Sequence, residues 1–154
     1  MLENCDIKVR WGAVNELIER WLNERQSLIV QYCAISGIQT AQKATNPDRL
    51  KKFCELLLDY ISAGHFEIYY ELVREAEAFE DGSAERAKPL IPQITATTQL
   101  ALDFSDTYAD GADPAKRSAL AKALSQLGET FATRFDLEDQ LIDALHSCHR
   151  EQVA

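Results

Sequence analysis

The sequence predicts an all-α fold: a single-domain antiparallel helical bundle with four main helices and one or two shorter ones. Three observations carry this expectation. Apolar residues recur at i, i+3, i+4 and i+7 through most of the chain, which is the helical period. No stretch sustains the alternation that a strand needs, and no Asn-Gly hairpin is present. The 154 residues include only six Gly and four Pro, so long segments run uninterrupted. A chain of this length suits one domain and buries about two-thirds of its unfolded surface on folding, so its core needs neither metal nor disulfide.

The first helix is expected from Trp11-Gly12 onward. Val14, Trp21, Leu28 and Ile35 lie seven apart, and Leu17, Ile18, Leu22, Ile29 and Tyr32 widen the stripe, giving ~36 Å of helix. Ser36-Gly37 is read as its stop, with residues 38–47 as a loop. Asn46-Pro47-Asp48 starts the second helix, with Asn46 as cap and Pro47 as the first helical residue. Leu50, Phe53, Cys54, Leu57 and Ile61 face inward from it. Gly64 then costs about 1 kcal/mol against Ala. It marks either a break between helices or a point of close packing, and a break or sharp kink is the preferred reading, with Ser62 able to cap the third helix. Phe66, Tyr69, Leu72, Val73 and Ala76 continue on a new face until Asp81-Gly82.

The fourth segment starts near Ser83, delayed or kinked by Pro89 and Pro92, and carries Ile91, Ile94, Thr98, Ala101 and Phe104 or Ser105 to Tyr108. Asp110-Gly111-Ala112-Asp113-Pro114 is a loop and helix start. Leu120, Leu124, Leu127, Phe131, Phe135, Ile142 and Leu145 form the apolar face of a long last helix. Glu138 stands on that face where an apolar residue is expected. Fraying is expected from about residue 150.

Charge narrows the function. The net charge is −9, unevenly spread: +2 over residues 1–52 and −11 over residues 53–154. Residues 67–85 hold seven acids and one base, Arg74. Such a surface repels nucleic-acid phosphates and anionic lipids and attracts basic partners. Neither direct nucleic-acid binding nor membrane association is expected. The apolar runs fall far short of the ~20 residues that span a bilayer. The polar, acidic start lacks a secretory signal, so the cytoplasm is the expected location.

Candidate chemistry is sparse. Cys5, Cys33, Cys54 and Cys148 form no C-x-x-C pair and read as reduced packing or surface residues. His146, Cys148 and His149, with Asp143, could offer a metal site, but zinc wants a second ligand pair and a di-iron bundle wants Glu-x-x-His on two helices. The competing reading is a polar terminal turn placed against the helix dipole. Cys54 and His65 fall on the second helix and its successor, and the core position of Cys54 argues for packing rather than for a nucleophile pair. No Gly-x-Ser-x-Gly or phosphate-cradling loop is present. No enzyme, cofactor or metal is expected. Polar residues that interrupt core stripes are more informative: Asp59, Ser62, His65, Arg134, Glu138 and Asp139. An isolated buried charge is costly, so these either form an internal salt-bridge network around Arg134 or line a docking groove.

Asp59-Tyr60-Ile61-Ser62-Ala63-Gly64-His65-Phe66, with Ile68-Tyr69 after it, resembles the central motif of the Rsd/AlgQ family of anti-sigma factors. Arg134-Phe135-Asp136-Leu137-Glu138-Asp139, followed by Leu141-Ile142, resembles its C-terminal motif, and Arg20-Trp21-Leu22 with Arg25 its first helix. Met1-Leu2-Glu3, Cys5 and Trp11-Gly12 are similar to the AlgQ branch. The resemblance runs nearly end to end, with weaker likeness at 38–47, 80–93 and 105–118. It implies a helical regulator that binds the C-terminal, −35-reading domain of the principal sigma factor of RNA polymerase and keeps it from promoter and core enzyme. A phosphocarrier or stringent-response protein is implied as a further partner. By match to the motifs, Asp59 is the implied charged contact, Phe66 and Tyr69 the anchors, and Ser62 and His65 shape the groove. Glu138 and Asp139 serve the interface or the network, Arg20 and Arg134 belong to the structural polar network, and Leu57, Ile61 and Phe135 belong to the core. An acidic adaptor for another basic partner, or a metal-binding sensor, are the alternatives left by the residues alone.

Overall fold

A computed structural model describes residues 2–40, 47–111 and 114–153, and among these every regular element is helical. The helices are α1 (Leu2–Thr40), α2 (Pro47–Ala63), a π-helical turn (Gly64–Ile68), α3 (Tyr69–Ala78), α4 (Ser83–Ala87), α5 (Leu90–Tyr108), α6 (Pro114–Arg117), α7 (Leu120–Leu145), a 3-10 turn (Ser147–His149) and α8 (Arg150–Val153).

The long helices run against one another in alternating directions. Trp11 bonds to His146, Arg25 to Asp139 and Tyr32 to Leu124, so α1 and α7 are antiparallel. Tyr32 packs on Phe53 and Trp21 on Tyr60, so α1 and α2 are antiparallel as well. α7 lies along α5, while α2 fills the angle between α1 and α5. Between them sits one apolar core in which Leu28, Leu50, Phe53, Leu57, Leu72, Ile94, Leu141 and Leu145 are fully enclosed. Each aliphatic side chain so buried contributes about 1.5–3 kcal/mol. The seven-spaced row Val14, Trp21, Leu28 and Ile35 is buried throughout, as its period requires.

Two boundaries differ from expectation. α1 begins at Leu2 and passes through Ser36-Gly37 to Thr40, so part of the predicted loop is helix, whereas 41–46, with the proposed Asn46 cap, lie outside the described residues. A glycine stops a helix where the chain turns left-handed. Among the described glycines only Gly82 and Gly111 do so, at φ 78° and 90°, and they end the turns after α3 and α5.

The second difference is at Gly64, where the predicted break does not occur. The chain passes from α2 to α3 through the π turn without leaving the helical region, and Ser62 caps nothing. Close packing explains the glycine. A Cβ there would lie 2.8 Å from Cζ2 of Trp21 and 3.2 Å from the Tyr69 hydroxyl. The extra residue of the π turn explains the new face. One residue advances an α-helix by ~100°; the π turn takes that angle back, so Tyr69, Leu72 and Ala76 of α3 meet the same core as Leu57 and Ile61 of α2. Gly64→Ala is expected to destabilise the protein by about 1–3 kcal/mol through overpacking, despite the better helix propensity of Ala. Urea unfolding checks this; an unchanged midpoint would mean that Trp21 yields without cost.

Candidate functional site

A buried polar network ties the helices together. Glu138 of α7 is wholly enclosed, and its carboxylate accepts four hydrogen bonds. Oε1 accepts from the Tyr60 hydroxyl of α2 and, at 3.2 Å, from Arg25 Nη2 of α1. Oε2 accepts from the Tyr69 hydroxyl of α3 and, at 3.1 Å, from Arg134 Nε. Arg134 donates onward to Thr97 and Thr98 of α5, at 3.2 and 2.7 Å, and to the Tyr69 hydroxyl at 2.9 Å. Arg25 donates to the Tyr60 hydroxyl at 3.0 Å and to Asp139 at 2.7 Å, and lies 4.8 Å over the Phe135 ring. Burial and the Glu138 charge push both Tyr60 and Tyr69 above the ordinary phenol range. Arg25 is raised: burial opposes its charge, but Tyr60, Asp139 and Glu138 outweigh that.

The predicted site residues fall into two groups. Glu138, Arg134 and Tyr69 lie inside this network. Tyr69 therefore presents no surface to a partner, and Glu138 takes the network half of its two expected roles. Asp59 and Ser62 are exposed on α2, and Asp139 is exposed while holding Arg25. The side chains of His65 and Phe66 lie outside the described residues. Arg20 is a correction: it is exposed, and Arg25 occupies the network position instead. Helical geometry explains the exchange. Arg25 follows Trp21 by one turn and shares its inward side, whereas Arg20 is rotated ~100° from Trp21. Arg20 instead acts on Glu24, whose carboxyl is raised by partial burial and by the charges of Asp59 and Glu67 and lowered by Arg20. Glu24, Asp59 and Glu67 thus converge from α1, α2 and the π turn on one acidic surface.

The C-terminal turn is a second correction. His146 and His149 are buried rather than set on a polar, fraying end. His146 Nδ1 faces the buried Glu75 carboxylate at 2.9 Å, and its Nε2 faces Asn15 Oδ1 at 3.0 Å. Trp11 stacks on His146 with centroids 4.2 Å apart. His149 stacks on Phe79 and bonds to Asp81 at 2.7 Å and to the Leu145 carbonyl at 3.0 Å. Asp81 is held well below the ordinary carboxylate range by its bonds to Ser83 and by His149. The signal in the sequence is periodic: His149 falls on the row Glu138, Ile142 and Leu145 of the α7 core face. Among the described residues, no group of three or more His, Cys, Asp or Glu could hold a metal ion. No helix among them is long and apolar enough to cross a membrane.

This architecture can be set beside known proteins. Residues 1–146 match the family model described as "Regulator of RNA polymerase sigma(70) subunit, Rsd/AlgQ". The chain belongs to the Rsd/AlgQ family. It is 36% identical over 150 residues to the "Regulator of sigma D" of Yersinia pseudotuberculosis serotype O:1b (strain IP 31758), covering 94% of this chain and 89% of that protein. It is 39% identical over 137 residues to the protein of the same description from Enterobacter sp. (strain 638), covering 86% and 82%. No solved structure matches. In this Rsd/AlgQ chain both matched motifs run through the network, since one supplies Tyr60 and Tyr69 and the other Arg134, Glu138 and Asp139.

The burial of these groups sets two expected outcomes. Glu138→Gln leaves Arg25 and Arg134 without their shared counter-charge and is expected to cost about 3–5 kcal/mol, read as a lowered urea midpoint; a loss under about 1 kcal/mol would refute the network's role. Burial pushes the Cys54 thiol up to about 11, against a hydrogen bond from Ser105 that lowers it. Groups raised in the folded state stabilise it below their unfolded values, ~8.5 for Cys and ~10 for Tyr, and lose that contribution as pH rises through the folded ones. Stability should therefore decline from about pH 8.5 upward, steeply above ~10 as Tyr60 and Tyr69 begin to favour unfolding. Chemical denaturation from about pH 8 to 11 checks this, and a flat midpoint would contradict it.

Proposed function

We propose that this protein is a cytoplasmic anti-sigma factor that binds the principal sigma subunit through its C-terminal, −35-reading domain. It keeps that domain from promoter and core enzyme, and it acts by binding rather than by catalysis. The match to the Rsd/AlgQ model over residues 1–146 carries this reading, because that family is described as regulating the sigma(70) subunit. Charge supports the choice of domain. A promoter-reading head presents Arg and Lys to phosphates, and residues 53–154 of this chain carry −11. An acidic helical surface meets such a head where DNA would lie; the charges raise the on-rate and the specificity, and apolar anchors supply most of the affinity.

The docking face in this reading is the exposed side of α2 and the π turn, with Asp59 and Ser62, His65 and Phe66 in the same motif, and the convergent carboxylates of Glu24 and Glu67 beside them. Asp139 adds charge at the exposed edge of the network. Tyr69 and Glu138 act from behind, by fixing α3 against α7.

The experiment is a titration of the whole chain with purified sigma C-terminal domain, together with competition against −35 DNA. Asp59→Ala is expected to weaken binding by about tenfold, which is ~1.4 kcal/mol, with an unchanged helical spectrum, and the loss should fade as salt rises. Failure of the wild-type chain to compete with −35 DNA at low ionic strength would overturn the reading.

A further inference from the structure

The π turn decides which tyrosine of the pair Tyr69-Tyr70 faces outward. Counting ~100° per residue from α2, an uninterrupted α-helix would set Tyr69 in line with Leu58 and Ser62 on the solvent side. The π turn shifts the register by one residue. Tyr69 is thereby turned into the polar network, and Tyr70 takes its place in the row. The exposures agree: Tyr69 is 4% accessible and Tyr70 is 64% accessible. Leu58, at 36%, is the other exposed large apolar residue on this side of α2 and α3. Leu58, Ser62 and Tyr70 thus form one row along the helix axis, ~18 Å from end to end at 1.5 Å per residue, with Glu55 and Asp59 flanking it on α2 and Glu67 in the π turn. The Tyr70 ring makes no contact with another ring or cation, and its hydroxyl no hydrogen bond, among the described residues.

We propose that Tyr70, with Leu58, is the apolar anchor of the docking face, and that its occupant is a cationic helical segment presenting an apolar side chain to Tyr70 and Arg or Lys to the flanking carboxylates. This rests on the reading of that face as the sigma-binding surface. An exposed aromatic ringed by charge has the character of an interface anchor: it offers a large contact area with little rotamer entropy to lose, and it is shielded by polar neighbours. The spacing suits a single helix laid along the row. The acidic flank fits a basic partner in particular, because Arg74 is the one base between residues 67 and 85.

The test uses the full chain and the purified sigma C-terminal domain. Tyr70→Ala is expected to weaken binding between tenfold and a hundredfold, and Leu58→Ala by a smaller factor, with thermal midpoints unchanged because both residues are exposed. Tyr70→Phe should retain affinity to within about threefold. Leu100→Ala, which removes an exposed apolar residue from α5, should leave it unchanged. The Tyr70→Ala loss should persist at high salt, where the Asp59→Ala loss fades, a difference that a merely structural role would not produce. Binding by Tyr70→Ala within twofold of wild type, with Asp59→Ala still impaired, would overturn this inference and leave the docking face standing. No effect from either substitution, with sigma still bound, would overturn both.

Discussion

One carboxylate organises this bundle. Glu138 is enclosed on α7 with two arginines and two tyrosines around it, and every long helix sends a group to it or to one of its partners. A carboxylate has about four acceptor sites, and here four donors fill them. An ion removed from water costs several kcal/mol unless its lone pairs and charge are met in full. The network therefore constrains the fold more than an equal volume of leucine would. Apolar side chains tolerate small slips of one helix along another, whereas these bonds close in a single arrangement of α1, α2, α3, α5 and α7. Much of the surrounding packing serves that arrangement: Trp21 stacks on Tyr60 and donates to its carbonyl, and Phe135 lies under Arg25.

The same constraint links core to surface. Tyr60 follows Asp59 directly, and Tyr69 precedes Tyr70, so the hydroxyls that grip Glu138 belong to residues adjacent to the exposed ones. Asp139 is bonded to Arg25 on one side and open to solvent on the other. The exposed face of α2 and α3 is thus displayed on a backing whose geometry is fixed by charge. At the far end of α7 two histidines do similar work, docking the terminal turn onto α1 and onto the turn after α3.

Much of this is legible in the residues. The seven-spaced row of α1 and the stripe of α7 locate the core, and the isolated acid on the α7 stripe locates the network. The stop at Ser36-Gly37 misleads because a glycine's low propensity ends a helix only if the backbone also turns left-handed, which composition does not reveal. Arg25 is hidden behind Arg20 because both flank the buried row of α1, and choosing between them needs the rotation about the helix axis relative to a partner. His149 sits on the α7 stripe in plain sight, but a polar residue near a chain end reads as solvent-facing until its acceptors are known. The π turn has no signature of its own: Gly64 signals tight packing and a break equally well, and only the position of Trp21 distinguishes them.

The extra residue in that turn has an evolutionary corollary. Helical surfaces ordinarily change by substitution, one side chain at a time, and short insertions or deletions are left to loops. Between Gly64 and Ile68, loss or gain of one codon would rotate everything downstream by ~100°, exchanging Tyr69 with Tyr70 and withdrawing a hydroxyl from the centre of the molecule in the same event. Length in this stretch of the chain is therefore tied to both folding and surface identity, and lineages can alter the outward row only through the residues that fill it.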